Sequence, residues 1–197
     1  MNGAASMTAG EFLECRYELP EAGQWSELEA GELVHLQPPD LDHGTVILNL
    51  SKAFAEHAQG TRQGYACFDL GLQLTSAPDT VRFPAACYFD AGPRFAESDR
   101  QITSTVPALV VELASTADRL RLQPERSHAF LDWGVRAVWT ILPRQRIVNI
   151  YLPGQPGHTA TAADRITGDP VLDQFCIDVS ALFAEPAWWT GQPGPRR

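Results

Sequence analysis

A glutamate interrupts the apolar run PALVVELAST, which spans residues 107–116 of the chain. The aliphatic residues on both sides of Glu112 are typical of a short strand buried on both faces, in the middle of a sheet that helices cover. A carboxylate is costly to bury there unless a metal, a cation or several hydrogen-bond donors compensate its charge. In the alternative interpretation, Glu112 stands at a strand end and reaches solvent or pairs with an arginine. Both interpretations make the surroundings of Glu112 decisive for function.

The first third of the chain predicts a helix, a hairpin and a second helix. Thr8 and Glu11 have the spacing of a capping box, which would open a short helix. The segments WSELEA and GELVHL then alternate as two strands that turn at residues 30–31. Apolar residues recur at helical spacing over residues 43–57, with Asp42 as the N-cap.

Two longer strands are predicted next, with the sequences GYACFDLGLQL and VRFPAACYF, joined across the turn cluster SAPDT. Pro84 lies inside the second of them. Because proline has no N–H to donate to a strand ladder, we expect an edge, a bulge or the end of pairing at that residue.

The second half of the chain predicts a helix over residues 118–133, in which Pro124 should cause a kink or a restart. Gly134 is a natural C-terminal stop for this helix. A hairpin follows, with the strands RAVWTIL and RIVNIYL on either side of PRQ. The segment 164–183 offers a short strand, a turn at GDP and a last helical turn.

The order of these elements predicts an α/β or α+β fold, in which helices flank a mixed β-sheet and several strand pairs are hairpins. The length of 197 residues favours one globular domain, which we place at residues 8–185. The small, Pro and Gly residues of segments 1–7 and 186–197 predict frayed ends.

Charge and hydropathy limit the partners that this chain can have. The formal net charge of −9 repels nucleic acid, so contact with DNA would require a local basic patch or bound divalent cations. No apolar run approaches the roughly 20 residues that cross a bilayer, and the first residues lack a basic start and an apolar signal core. We therefore expect a cytoplasmic protein without a membrane partner.

Five segments, in this order, resemble the bacterial Uma-two family of restriction-endonuclease-like proteins, within the PD-(D/E)XK nuclease superfamily. They are ELEAGELVHLQPP, HGTVILNL, TVRFPAACYF, PALVVELAST and FLDWGVRAVWTILP, and the likeness spans residues 10–183. The resemblance implies a restriction-endonuclease-like mixed sheet with flanking helices, and a DNA endonuclease that uses Mg²⁺ or Mn²⁺. Hard carboxylate oxygens hold such a cation, which polarises the phosphate and lowers the pKa of a bound water, while a lysine positions that water.

The resemblance also implies three catalytic residues in this chain. Glu32, in GELV, matches the first glutamate of the family pattern, and Glu112 matches the second, which is a metal ligand. Arg126 occupies the position of the family lysine, four residues before Phe130. The position after RFP, an aspartate and metal ligand in the family, is Ala85.

The two departures from the pattern predict an impaired site. Alanine has no oxygen for a metal, and arginine differs from lysine in reach and in donor geometry. We therefore expect an endonuclease with impaired activity, or a pseudo-nuclease that binds or interacts without cleaving and needs no cofactor. Asp69 and Asp90 are the candidates for a replacement ligand, although Asp90 would face the other side of a regular strand.

Arginines cluster around the helix that follows Glu112. Arg119 and Arg121 are the predicted DNA-binding residues, since guanidinium groups in a cleft contact phosphates. Alternatively these arginines form a solvated helix face, or one of them pairs with Glu112 in place of the metal.

Two further features concern packing and assembly. His43 would either close the turn before the first long helix, which we favour, or line the cleft. Trp188 and Trp189 would pack on the core or on a second subunit. Since the resembled family often forms dimers, we expect a homodimer.

Overall fold

The computed structural model describes residues 6–186, apart from the side chain of Leu41. Trp188 and Trp189 lie outside the described residues, as do most of the two end segments predicted to be frayed. Close to the start, the backbone N–H of Met7 donates to the carbonyl of Gly31 at 2.9 Å. This hydrogen bond attaches residue 7 to the turn of the first hairpin.

The described residues form four α-helices, which are α1 (Ala9–Cys15), α2 (Leu41–Thr61), α3 (Ala117–Trp133) and α4 (Val179–Leu182). The strands of the first half are β1 (Ser26–Glu29), β2 (Glu32–His35), β3 (Tyr65–Cys67), β4 (Gly71–Thr75), β5 (Thr80–Arg82) and β6 (Ala86–Phe89). Those of the second half are β7 (Ile102–Thr103), β8 (Leu109–Leu113), β9 (Ala137–Leu142), β10 (Ile147–Tyr151), β11 (His158–Ala160), β12 (Arg165–Thr167) and β13 (Cys176–Asp178).

These strands form three sheets within the described part of the chain. One sheet has the order β2-β1-β5-β4-β7, a larger one has the order β11-β10-β9-β8-β6-β3, and β12 pairs with β13. The pairs β8–β9 and β4–β7 are parallel, and the other pairs are antiparallel. The two larger sheets are mixed and are accompanied by helices. The prediction of a mixed α+β fold with hairpins is therefore confirmed.

The first two helices begin close to where the sequence predicts them. The side chain of Thr8 accepts from the backbone N–H of Glu11, whose carboxylate accepts from the N–H of Thr8, so the predicted capping box is present. Helix α2 starts two residues earlier than expected, with Asp40 and not Asp42 as the N-cap. Asp40 has an extended backbone after Pro39, and this conformation suits an N-cap.

Helix α3 is continuous through Pro124, where the sequence predicts a kink or a restart. The missing N–H of this proline removes one hydrogen bond, to the carbonyl four residues earlier. The helix ends as expected at Gly134, which has φ +113° and whose N–H donates to the carbonyls of Leu131 and Phe130.

Each of the two long strands predicted between α2 and β8 is broken into two. The first is therefore wrong as a continuous strand, whereas the second breaks at the residue where the end of pairing is expected. The first divides into β3 and β4 around Asp69, which has φ +53°. The second divides into β5 and β6 around Pro84, where pairing ends. Both therefore pass from one sheet to the other, with β4 and β5 in the smaller sheet and β3 and β6 in the larger.

Strand β8 is buried on both faces, as its composition predicts. Leu109, Val111 and Leu113 belong to the core that α2 covers, while Val110 packs with Phe130 of α3 on the opposite face. Because side chains alternate along a strand, Glu112 shares the face of Val110 and points toward α3.

The first hairpin has the register that its turn at residues 30–31 predicts. Glu27 lies opposite Val34, and Glu29 lies opposite Glu32, next to the turn. These residues share one face of the hairpin, and Leu28 is buried on the other face. Within residues 6–186, no helix has both the length and the apolar character that a membrane span requires.

Two glycines are expected to respond in opposite ways to the same substitution. Gly134→Ala should lower the free energy of unfolding by about 1–2 kcal/mol, since φ +113° strains any residue with a Cβ. Gly60→Ala should raise it by about 0.5 kcal/mol, because Gly60 is an exposed helical residue with open space around a new Cβ. Urea denaturation measures both, and changes of the same sign would contradict this expectation.

Candidate functional site

The carboxylate of Glu112 faces an arginine of helix α3. Its Oε1 accepts hydrogen bonds from Nε of Arg126 at 3.3 Å and from Nη2 of Arg126 at 2.8 Å. Both side chains are almost fully buried, with 8 % and 7 % of their surfaces exposed. The charge that the sequence places in an apolar strand is thus compensated by a guanidinium, which is one of the interpretations left open above.

A second carboxylate, that of Glu27 on β1, contacts the same guanidinium. Nη2 of Arg126 donates to Oε1 of Glu27 at 3.0 Å, and Nη1 donates to Oε2. Oε1 of Glu27 also accepts from the backbone N–H of Phe83 at 2.8 Å. Arg126 therefore bridges two buried carboxylates from two different sheets, and we call these three residues the ion-pair cluster.

Burial and charge oppose each other within the ion-pair cluster. Burial alone would raise the pKa of Glu27, but the attraction and hydrogen bonds of Arg126, with the N–H of Phe83 and the charge of Arg119, hold the pKa below its ordinary value. Burial likewise disfavours the charged form of Arg126, but Glu112 and Glu27 raise its pKa further above neutrality. Glu27 and Arg126 are consequently ionised at neutral pH, and the formal charges of the three residues of the cluster sum to −1.

Three elements bring the ion-pair cluster together. Strand β8 directs Glu112 toward α3, where Arg126 lies one turn before the buried Phe130. Strand β1 pairs with β5, at whose end Phe83 contributes its N–H. The alternation of side chains along strand β8 and the spacing of residues along helix α3 together place Glu112 and Arg126 against each other.

Glu32, which the resemblance implies as the first catalytic glutamate, lies outside the ion-pair cluster. It is exposed at the turn of the hairpin, opposite Glu29, which itself pairs with Arg82. Two residue steps along a strand, roughly 7 Å, separate that end of the hairpin from Glu27. Glu27 is not among the residues predicted from the sequence. The predicted turn at residues 30–31 already implies that Glu27 lies farther along the hairpin than Glu32 and not opposite it.

The predicted DNA-binding arginines lie on different sides of α3. Arg119 has 8 % exposure and stands seven residues before Arg126, on the same face of the helix. Arg121 is exposed. The structure therefore does not bring Arg119 and Arg121 together as one basic surface.

The two candidate replacement ligands are both occupied by arginines. Asp69 is exposed at the break between β3 and β4, and its Oδ1 accepts from Arg16 at 3.2 Å. Asp90 pairs with Arg136, which lies between α3 and β9. Across residues 6–186, no three His, Cys, Asp or Glu side chains are grouped so that they could hold a metal ion.

The residues of the ion-pair cluster do not fit a divalent metal. Oε1 of Glu27 and Oε1 of Glu112 each accept two hydrogen bonds, and Oε2 of Glu27 accepts one. Ala85, at the implied aspartate position, offers no oxygen. A cation would have to displace the buried guanidinium in order to bind both carboxylates.

A cavity of about 520 Å³ lies beside the ion-pair cluster. Ala85, Arg119 and His43 line it, so His43 does reach the cleft. His43 also packs edge-on against Trp25, with 5.8 Å between ring centroids. Burial, followed by the charge of Arg119, lowers the pKa of His43 to about 4, although Asp40 acts in the opposite direction, so the ring is neutral at pH 7.

Two further side chains of α3, those of His128 and Trp133, have structural contacts. His128 is exposed, and its Nδ1 lies 2.7 Å from the carbonyl oxygen of Pro124 in its own helix. Trp133 packs on the core that α3 covers. Both contacts are local to α3 and its core.

Removing the guanidinium should be far more damaging than removing a neighbouring one. Arg126→Met should lower the free energy of unfolding by about 3–5 kcal/mol, because it leaves two buried carboxylates unpaired. Arg121→Met, on the exposed side of the same helix, should change it by no more than about 0.5 kcal/mol. Chemical denaturation gives both values.

A triple change separates charge from packing in this result. Adding Glu27→Gln and Glu112→Gln to Arg126→Met removes the unpaired charges and should restore much of the lost stability. If the triple variant is as unstable as Arg126→Met alone, lost packing and not charge accounts for the effect.

The depressed pKa of Glu27 predicts a specific pH dependence. Its contribution to stability is fully present above the unfolded-state value of 4.5 and is lost as pH falls through the lower folded-state pKa. As the pH falls below 4.5, the free energy of unfolding should therefore decrease more steeply in the native chain than in the Glu27→Gln variant. Urea titrations at several pH values measure the slope, with Glu32→Gln as the control that keeps the native slope. Equal slopes for the native chain and Glu27→Gln would contradict the expectation.

Comparison with known proteins agrees with the fold and with the resemblance. The family model Uma2, described as "Putative restriction endonuclease", matches residues 11–180. A search of curated proteins gave no significant match. Among solved structures, the chain is similar to a crystal structure from Anabaena variabilis described as "a putative nuclease belonging to DUF820", with a TM-score of 0.71 and 19 % identity over 90 % of this chain and 97 % of that one.

The structural likeness supports the restriction-endonuclease-like fold, and the family match covers most of the chain. It includes β1, β8 and α3, the elements that carry Glu27, Glu112 and Arg126. The resemblance drawn from the five sequence segments is thereby confirmed, and the chain belongs to the Uma2 family.

Proposed function

We propose that this chain is a pseudo-nuclease, a restriction-endonuclease-like protein that holds no catalytic metal, cleaves no DNA and acts by binding. The observation that carries the proposal is the position of Arg126. Its guanidinium lies between the carboxylates of Glu27 and Glu112. A divalent cation would have to occupy the same position in order to bind both carboxylates.

The chemistry of arginine makes this occupation permanent at any ordinary pH. A lysine can lose its proton and move aside at modest cost, but the guanidinium stays charged in proteins. Leaving Arg126 buried without acceptors would cost several kcal/mol, and the two carboxylates would in turn need the metal to replace every hydrogen bond. The ion-pair cluster is therefore expected to resist exchange with Mg²⁺ or Mn²⁺.

Ala85 supports the same proposal independently. In the resembled family this position supplies the aspartate that holds the metal together with the second glutamate. Hard divalent cations require several oxygen ligands, and a methyl group supplies none. Loss of this oxygen and replacement of lysine by Arg126 remove different parts of the proposed chemistry.

Charge distribution also argues against a large DNA-binding surface, although DNA remains the partner that the family suggests. The net charge is −9, and Arg16, Arg82 and Arg136 each pair with a carboxylate. Arginines held in this way have less positive potential to offer phosphates. The cytoplasmic location and the homodimer stay predictions from the sequence.

The second candidate function is a metal-dependent endonuclease with impaired activity. It is favoured by the family match and by the convergence of Glu27 and Glu112 on one cation position. For this function Arg126 would have to leave both carboxylates when Mg²⁺ or Mn²⁺ binds.

Metal titration of the full chain distinguishes the two functions. Calorimetry with Mn²⁺ should show no binding by the native protein, and supercoiled plasmid should stay intact with Mn²⁺ present. Ala85→Asp with Arg126→Lys should create Mn²⁺ binding, since it supplies an oxygen ligand and a cation that can move aside. Ala85→Asp with Arg121→Lys is the matched control, which adds the carboxylate but keeps Arg126.

The outcomes separate clearly. Mn²⁺ binding by the native chain that Glu112→Ala abolishes, together with plasmid nicking, would overturn the pseudo-nuclease proposal. Equal Mn²⁺ binding by the two double variants would show that Arg126 does not block the metal.

A further inference from the structure

The cavity beside the ion-pair cluster has the size and lining of a small-molecule site. Its volume of about 520 Å³ lies within the range of roughly 300–1,000 Å³ that ligand pockets occupy. Apolar side chains form most of its wall, including the aromatic rings of Trp25, Phe68 and Phe83. Ala85 adds only a methyl group, so the position that lacks the family's carboxylate leaves space open in this cavity.

One charged group in the cavity wall has unmet hydrogen-bonding capacity. Arg119 is more than nine-tenths buried, and among residues 6–186 no carboxylate lies within ion-pair distance of it. Its buried Nε has no acceptor in the described structure. Its guanidinium carbon lies 5.6 Å from the ring centroid of Trp25, in a cation–π contact.

Burial of Nε of Arg119 without an oxygen acceptor is unfavourable, and the carboxylates of Glu27 and Glu112 stabilise the guanidinium charge only from beyond ion-pair distance. Burial lowers the pKa of Arg119, and the charges of Glu112 and Glu27 offset part of that effect. A carboxylate in the cavity would present two oxygens in a plane, which matches the fork of guanidinium donors.

We propose that this cavity binds a small organic carboxylate with a flat apolar body, whose carboxylate pairs with Arg119 while the body packs between Trp25, Phe68 and Phe83. The proposal follows from the combination of one unpartnered buried cation and an apolar aromatic wall. It does not depend on whether the chain cleaves DNA.

The surroundings of Arg119 favour a single negative charge with a weakly hydrated body. The formal charges of Glu27, Glu112, Arg126, Arg119 and Asp118, which also acts on Arg119, sum to −1, so no net positive charge is available for a doubly charged phosphate. Two carboxylates also line the cavity, and each pairs with an arginine, Asp40 with Arg144 and Asp69 with Arg16. His43 is adjacent and neutral, and it adds hydrogen-bonding capacity without charge. A largely apolar wall rewards burial of a ring and penalises dehydration of a bare phosphate.

Naphthoate and its neutral amide test this proposal on the full chain. Calorimetry or saturation-transfer NMR should show naphthoate binding to the native protein, and the amide should bind about tenfold more weakly or worse, because it loses the charged hydrogen bonds. Arg119→Gln should weaken naphthoate binding by a similar factor and reduce the difference between acid and amide. Arg121→Gln, which removes the same charge from the exposed side of α3, should leave the affinity unchanged.

A second variant keeps the test valid if Arg119→Gln does not fold. Ala85→Leu extends a side chain into the cavity and should abolish binding of both naphthoate and the amide while Arg119 is intact. Absence of naphthoate binding by the native chain, or equal affinity for acid and amide, would overturn the proposal. So would displacement of naphthoate by inorganic phosphate at lower concentrations than naphthoate itself needs, since that result would indicate a bare oxyanion site.

Discussion

The bridge that Arg126 makes between Glu27 and Glu112 is the interaction on which the arrangement of this protein depends. It joins helix α3 to a strand from each of the two larger sheets, and all three side chains are buried. None of the three charges is tolerable alone in this environment, so each requires the others. Such mutual dependence fixes how the first hairpin, the central strand and the helix lie against one another.

The same interaction lets a restriction-endonuclease-like fold bury two carboxylates without a metal to compensate them. A metal centre compensates carboxylates with a cation from solvent, whereas Arg126 compensates them with a cation that belongs to the chain. Replacement of the family lysine by arginine thus supplies permanent charge compensation and bidentate geometry. Under the proposed pseudo-nuclease function, Glu27 and Glu112 need no metal to stay stable, and the methyl group of Ala85 adds no third carboxylate to be compensated.

Sequence patterns predict most of the fold, because short-range periodicity decides most of its elements. The capping box at Thr8, the stop at Gly134 and the buried strand around Glu112 are all present where expected. The break at Pro84 is expected from its missing N–H, but the break at Asp69 is harder to predict, since it depends on which sheet a strand joins and not on local propensity. For the site, the sequence indicates Glu112 and Arg126, but it misses Glu27, whose burial requires a long-range contact across 99 residues to α3.

The two broken strands also affect how the protein should unfold. Because β3 continues into β4 and β5 continues into β6, two of the chain's passages between the two larger sheets are direct crossings from strand to strand. Neither sheet can separate from the rest of the fold without disrupting strands of the other sheet at both crossings. Backbone amides in the two sheets are therefore expected to exchange with solvent through one shared opening event and with similar protection, as a single cooperative unit.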